Sequence, residues 1–324
     1  MIWRKLTRRN SVSSDAPREE RSNVLPACSR KADEANSMNY VQVRRMTESD
    51  LSAADRLREI AGWNQTLDDW RLLFALEPEG CFVAVRDGEV IGTVTTTMYG
   101  QTLAWIGMML VHPDHRRCGV GTGLMRGALE HLQASGVRSV RLDATPAGQP
   151  VYEKLGFVGE WSLTRRERPA AGEPVAPDPS SVIVRDLIEK DWPAAGEIDA
   201  RCFGVPRERL LHQLAERCLR ALVCEVQGRM VGWGLLRPGV KADYLGPLAC
   251  ISADVLSLLV AALLRSTQGR PVIWDVPDEN EPAVAAAQRF DFRPVRSFTR
   301  MRLGPNSVPS VPQTQFAIAD PALG

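Results

Sequence analysis

Four stretches of the chain recur in the same order on either side of a segment rich in proline, alanine and glycine. VQVRRMTESDL, from Val41, is answered by VIVRDLIEKDW, from Val182. VAVRDGEVIG, from Val83, is answered by VCEVQGRMVG, from Val223. AWIG, from Ala104, is answered by DYLG, from Asp243, and LGFVGEWSLTRR, from Leu155, by FDFRPVRSFTRM, from Phe290. Each match is weak alone, but four in one order at similar spacing imply two copies of one fold. The expected organisation is a first copy over 38–168, a linker over 169–181 and a second copy over 182–303. The flanks, 1–37 and 304–324, carry no apolar periodicity and are expected to be a disordered and a flexible tail.

Each copy alternates strand and helix patterns. In the first, Val41 and Val43 alternate as a strand, and Thr47 or Ser49 is placed to cap a helix. CFVAVRDGEVIGTVTTTMYG predicts a hairpin turning at Asp87-Gly88, and TLAWIGMMLV a buried central strand. From Thr122 to Gln133, Leu124, Ala128 and Leu132 recur every fourth residue, which predicts a helix with one apolar face. VRSVRLDA is a further strand, and Pro150 starts a short helix ending at Gly156. The fold class is therefore α/β, a central mixed sheet flanked by helices, built twice.

Global properties exclude several roles. The net charge of the 324 residues is +1, and no basic patch is interleaved with aromatics, so nucleic acid and membrane surfaces are not expected partners. No apolar run approaches the ~18 residues of a membrane span. Seven cysteines without a CxxC spacing suit a reducing compartment, and the cytoplasm is the expected location.

The chemistry concentrates in HPDHRRCGVGTGLM, His112 to Met125. It follows a strand and opens a helix, where backbone amides lack internal partners beside the positive end of the helix dipole. Gly119 and Gly121 remove side chains from that loop, and Arg116 and Arg117 add charged donors, so a pyrophosphate is the expected ligand. A dinucleotide fingerprint fits less well: Leu124 stands where its third glycine belongs, and HPDHRRC separates the strand from the first glycine. A P-loop lacks its Gly-Lys-Ser/Thr. His112 and His115, spaced by Pro-Asp in a loop, read as a solvated turn, and no metal is expected.

At these residues the sequence resembles the GNAT superfamily of acetyl-CoA-dependent N-acetyltransferases. Their signature Q/R-x-x-G-x-G/A is matched by Arg116-x-x-Gly119-x-Gly121, between MMLVHPDHR and an amphipathic helix, with VYEKLGF following at Val151 to Phe157. The resemblance covers about 40–168 and, more faintly, 182–303. It implies acetyl-CoA as cosubstrate, lying in a gap between two splayed central strands. The backbone of Leu110 and Val111 would pair with the pantetheine arm. The amides of Arg117, Cys118, Gly119, Val120, Gly121 and Thr122 would hold the pyrophosphate.

The resemblance also implies direct attack by an acceptor amine, with Tyr152 protonating the departing thiolate; a phenol of pKa near ~10 is protonated at neutral pH and suited to that task. Where relatives often carry asparagine just before this tyrosine, the chain reads TPAGQP, with Gln149 in its place. Asp143, Asp69, Glu77 and Glu160 are candidates for the base that takes the amine's proton, and Asp143 is preferred. AGWNQTLDDW stands where relatives place substrate-contacting helices, so Trp63, Asn64 and Gln65, with Met98, Tyr99 and Trp105, are expected to line an acceptor pocket for a small-molecule amine.

The second copy reads PLACISADV where the first has its glycine loop, and AVAAAQRFDF where the first has Tyr152. It is expected to bind no CoA and to pack on the first copy as a built-in pseudo-dimer. A non-catalytic acyl-CoA sensor is the alternative function.

Overall fold

A computed structural model describes residues 23–25, 41–170, 181–267, 269–308 and 311–324. Most of the expected linker, and the expected disordered tail apart from one three-residue strand, lie outside these residues.

The described residues form one mixed sheet of thirteen strands with eight α-helices. The first half contributes β1 (Asn23–Leu25), β2 (Val41–Arg45), α1 (Leu51–Ala61), α2 (Leu67–Leu76), β3 (Phe82–Arg86), β4 (Glu89–Tyr99), β5 (Leu103–Val111), α3 (Val120–Ala134), β6 (Ser139–Ala144), α4 (Gln149–Lys154) and β7 (Val158–Arg168). The second contributes β8 (Ile183–Asp186), α5 (Trp192–Phe203), α6 (Glu208–Ala215), β9 (Arg220–Val226), β10 (Arg229–Arg237), β11 (Asp243–Cys250), α7 (Ala253–Leu264), β12 (Val272–Pro277), α8 (Glu281–Arg289) and β13 (Arg293–Leu303). All neighbouring strands are antiparallel except β5 with β6 and β11 with β12.

The repeat is visible in backbone detail. Both halves turn their first hairpin with two left-handed residues, Asp87-Gly88 and Gln227-Gly228, the pair a two-residue turn between right-twisted strands needs. Both anchor the opening turn with an arginine fork on a buried aspartate, Arg44 on Asp50 and Arg185 on Asp191.

The last strand of each half is exchanged. The order runs β5-β6-β13-β7-β12-β11, so β13 lies beside β6 of the other half and β7 beside β12 of the other half. Register is set by two reciprocal ion pairs. Arg300 of β13 stands opposite Asp143 of β6 and grips both its oxygens at 2.9 Å. Arg165 of β7 stands opposite Asp275 of β12 and grips both its oxygens at 2.8 and 2.7 Å. Arg300 is sandwiched between Trp105 and Trp161, 4.4 and 4.2 Å from their ring centres. Because side chains alternate faces along a strand, a one-residue slip would leave two buried charges unpaired on each side, which makes these pairs register locks rather than simple stabilisers.

One apolar core joins the halves. It gathers Trp70 and Leu73 of α2, Trp105 of β5, Phe203 of α5, Leu211 of α6 and Trp233 of β10. Separate cores lie under α3 and under α7.

The described residues 311–324 do not form the flexible tail expected there. Phe316 and Ala317 insert between the diverging ends of β11 and β12: Leu248 and Ala317 exchange backbone bonds of 3.3 and 3.4 Å, and the Ile318 amide donates to the Asp275 carbonyl at 3.4 Å. The chain then crosses to the first half, where the Trp105 indole donates to the Pro321 carbonyl at 3.0 Å and the Tyr99 hydroxyl to the Leu323 carbonyl at 2.6 Å. A segment without periodicity is ordered here because it fills a slot in an existing sheet, where the partner strands supply its hydrogen bonds.

Candidate active site

The parallel strands β5 and β6 pair only at Leu103–Ser139, Ala104–Val140 and Trp105–Arg141, and beyond that they part. At the divergence β5 carries a bulge: its ladder with β4 jumps from Thr95–Gly107 to Thr93–Leu110. Met108 takes a left-handed φ of 46°, and its carbonyl accepts the Thr93 hydroxyl at 2.8 Å. A bulge lifts backbone groups out of the ladder and re-aims the strand. Here it opens a cavity of about 120 Å³, lined by Gly107, Met108 and Met109 of β5, Asp143 of β6, and Tyr152 of α4.

Tyr152 lies over Gly148, where an added Cβ would come 3.1 Å from its ring. Its ring meets Phe157 edge-on. Its hydroxyl makes no hydrogen bond among the described residues, and burial pushes the phenol up to about 12. It is therefore a protonated donor facing the cavity. Gln149 is engaged elsewhere, accepting from Thr299 at 3.1 Å and donating to Glu153 at 2.8 Å.

The glycine loop leaves β5 at Val111 and enters α3 at Val120. Arg116 folds back, and its Nε donates to the Val111 carbonyl at 3.1 Å, tying the loop to the strand end. Arg117 and Gly119 are left-handed, at φ 61° and 80°. Gly119 caps α3, and the first helical bond runs from the Gly123 amide to the Gly119 carbonyl at 2.9 Å. The amides of Val120, Gly121 and Thr122 thus precede the helical ladder. The two glycines serve different ends. A Cβ on Gly119 would meet nothing within 4 Å, so its need is conformational; one on Gly121 would come 3.0 Å from the terminal methyl of Met109, which would have to give by a few tenths of an ångström. An open, amide-rich helix start at the end of a splayed strand suits a pyrophosphate.

The four carboxylates considered as bases are all engaged. Asp143 is fully buried on Arg300; burial pushes its carboxyl up, against the pull of that guanidinium. Glu160 accepts from Arg141 and Arg302, Asp69 from the backbone and hydroxyl of Thr66, and Glu77 lies 3.5 Å from His131.

Of the expected acceptor residues, Trp63 and Gln65 line the cavity. Asn64, Met98, Tyr99 and Trp105 are not brought to it. Asn64 bridges to the second half, accepting from the amides of Lys241 and Ala242 and donating to the Ala242 carbonyl. Tyr99 and Trp105 hold the carboxyl-terminal segment. Their polar edges face chain rather than cavity because that segment supplies the carbonyls they need when buried.

Residues not anticipated from sequence complete the wall: Arg165 of β7, Arg296 and Phe298 of β13, and Pro321 and Ala322. Gly107 faces Ala322 so closely that an added Cβ would come within 2.6 Å of its backbone. The aligned arginines of LTRR and FTRM carried the signal for Arg165 and Arg300. Nothing local marks Pro321 or Ala322.

The second half lacks this arrangement. Its splay holds Phe316 and Ala317, and the start of α7 is closed by the Ser252 hydroxyl, which accepts the Val255 amide at 3.4 Å.

The family model described as the acetyltransferase (GNAT) family matches residues 45–157, and that of an acetyltransferase (GNAT) domain matches residues 195–317. The chain belongs to the GNAT acetyltransferases. It is an acyltransferase with two GNAT domains in tandem. It is 26% identical over 239 residues to an uncharacterized N-acetyltransferase, YitH, of Bacillus subtilis, covering 73% of this chain and 82% of that one. To the holothin acyltransferase of a Pseudoalteromonas species it is 27% identical over 244 residues, covering 75% and 81%. To the mycothiol acetyltransferase of Streptomyces coelicolor it is 36% identical over 96 residues, 28% of this chain and 31% of that one. Among solved structures, a putative acetyltransferase from Pyrococcus horikoshii superposes with a TM-score of 0.74 at 24% identity, covering 91% of this chain and all (100%) of that one. A tandem GNAT protein of clavulanic acid biosynthesis superposes at 0.62 and 16% identity, covering 84% and 100%. GNAT acetyltransferases use acetyl-CoA. Among the described residues no cluster of His, Cys, Asp and Glu is disposed to hold a metal, and no helix is long and apolar enough to cross a membrane.

Proposed function

We propose that this tandem GNAT protein transfers an acetyl group from acetyl-CoA to the primary amine of a small molecule, at the cavity of its first half. The observation that carries this reading is the unbonded Tyr152 hydroxyl, which lines the same cavity as the bulged, unpaired edge of β5. The pantetheine arm would lie along Leu110 and Val111, and the amides of Arg117 to Thr122 would take the pyrophosphate. In the second half, the chain's own Ala317 pairs with β11 in the corresponding slot, which supports the added-strand reading of the first.

The acceptor nitrogen attacks the thioester carbonyl carbon. Amides freed by the bulge favour the negative charge that develops on its oxygen. The C–S bond then breaks, and the thiolate takes its proton from Tyr152. The ammonium proton is lost to water, and Asp320, behind the cavity-lining Gln65 that donates to it and with its carboxyl pushed up to about 6 by burial, is the group suited to receive it through that water. Enclosure by the second half and by Pro321 and Ala322 favours a small acceptor over a protein chain, as do relatives named for holothin and mycothiol.

Tyr152→Phe tests this. Acetyl-CoA binding measured by calorimetry is expected to stay unchanged while kcat falls by roughly 10²-fold or more. A wild-type protein that binds acetyl-CoA but acetylates no amine would instead be a sensor, and an unchanged kcat in the variant would remove Tyr152 from the chemistry.

A further inference from the structure

Three charged side chains line the transfer cavity: Asp143, Arg165 and Arg296. Two are neutralised, Asp143 by Arg300 and Arg165 by Asp275. Arg296 makes no hydrogen bond or ion pair among the described residues. It also stands directly opposite Arg165 in the pairing of β13 with β7, next to the bulge at Val295. Opposed residues of an antiparallel pair share a face, and two like charges there repel. Asp275 already gives both its oxygens to Arg165 and accepts the Tyr244 hydroxyl at 2.8 Å, so it has little left to offer a second guanidinium. One wall of the cavity, open to solvent at Arg296, therefore carries a positive charge with no ionic partner among the described residues, on a planar fork, the geometry that reads a carboxylate through two parallel bonds. Asp320 lies behind Gln65, accepts from it and from the Ala322 amide, and belongs to a group with Asp69 and Arg237, so it forms no ion pair with Arg296.

We infer that the acceptor is an amine that also carries an anionic group, a carboxylate above all, and that Arg296 binds it. This rests on the acetyl-transfer reading above and narrows its substrate class. The second half then supplies the residue that selects the substrate, while the first supplies the cofactor loop and Tyr152. A phosphate of acetyl-CoA is the other anion that Arg296 could meet, and the two are separable by experiment.

The test uses the full chain saturated with CoA and pairs of primary amines matched in length, each with and without a carboxylate, titrated by calorimetry. Within the pairs that bind, the carboxylated member is expected to bind tighter. Arg296→Gln is expected to erase that preference by about tenfold or more, the worth of a charged hydrogen bond. Arg296→Glu is expected to reverse it toward amines with a second cation. Arg296 is exposed, so both variants keep the fold. No preference for the carboxylated member in any pair overturns the inference, and so does a preference that survives in Arg296→Gln. Weaker acetyl-CoA binding in Arg296→Gln, with amine preference unchanged, assigns the arginine to the cofactor and overturns it too. If instead the carboxylate preference holds but no bound amine is acetylated, the transfer reading fails while the recognition stands.

Discussion

Asp320 shows how a single side chain can be read in two ways that one variant separates. Its carboxyl is buried beside Asp69 and held by Gln65 and the Ala322 amide, and burial pushes it up to about 6. The folded protein therefore holds a proton that the unfolded chain, titrating near ~3.9, has already lost. Stability should fall as pH rises from about 4 to about 6 and then level off, because over that window the native state binds more protons. Asp320→Asn removes this term. Relative to the variant, the wild type is expected to lose on the order of 2 to 3 kcal/mol across the window, measured by urea unfolding at each pH. If Asp320 also takes the ammonium proton, the variant loses the acidic limb of kcat/KM near pH 6, whereas a purely structural role leaves that limb in place. Parallel stability curves for the two proteins would show that Asp320 ionises normally.

The exchanged strands make the fold depend on pairs of residues far apart in sequence. Removing the charge of Asp143 leaves Arg300 buried and unpaired between two tryptophans. Asp143→Asn is therefore expected to cost about 3 to 5 kcal/mol in denaturant unfolding, and to loosen β13 against β6 in amide exchange. A loss below about 0.5 kcal/mol would mean that the pair is not what sets the register.

Much of each copy was legible in sequence at this level. The Asp87-Gly88 turn, the apolar stripe of α3 and the glycine loop are local patterns, and each lies where its periodicity or turn chemistry put it. The exchange of β7 and β13 was not legible, because two copies of similar strand sequence pair equally well by pattern within a half or across halves. The ordered carboxyl-terminal segment was not legible either: its residues gain their structure from the slot they fill, and a slot has no signature in the segment that occupies it. Asn64, Tyr99 and Trp105 were drawn toward the acceptor site by their chemistry, which the fold uses instead to satisfy backbone groups at Lys241 and Ala242 of the second half and carbonyls of the carboxyl-terminal segment.

As a whole, the molecule exchanges a strand between its two halves, so a cut at the linker is expected to leave each half without its partner strand. The first half contributes the bulged β5, the glycine loop and Tyr152; the second contributes Arg296 and Phe298 on β13, and the carboxyl-terminal segment closes the cavity floor. The second half's own slot holds Phe316 and Ala317, so one cofactor site per molecule, in the first half, is the expected outcome. Thermal unfolding of the full chain with and without acetyl-CoA tests this most directly. At a hundred times its Kd the ligand is expected to stabilise the wild type by about 2.7 kcal/mol, a rise of a few degrees in Tm. The rise should vanish when Gly119 and Gly121 are both replaced by valine. No rise in the wild type, or an equal rise in the double variant, would contradict a cofactor held by the first half's loop.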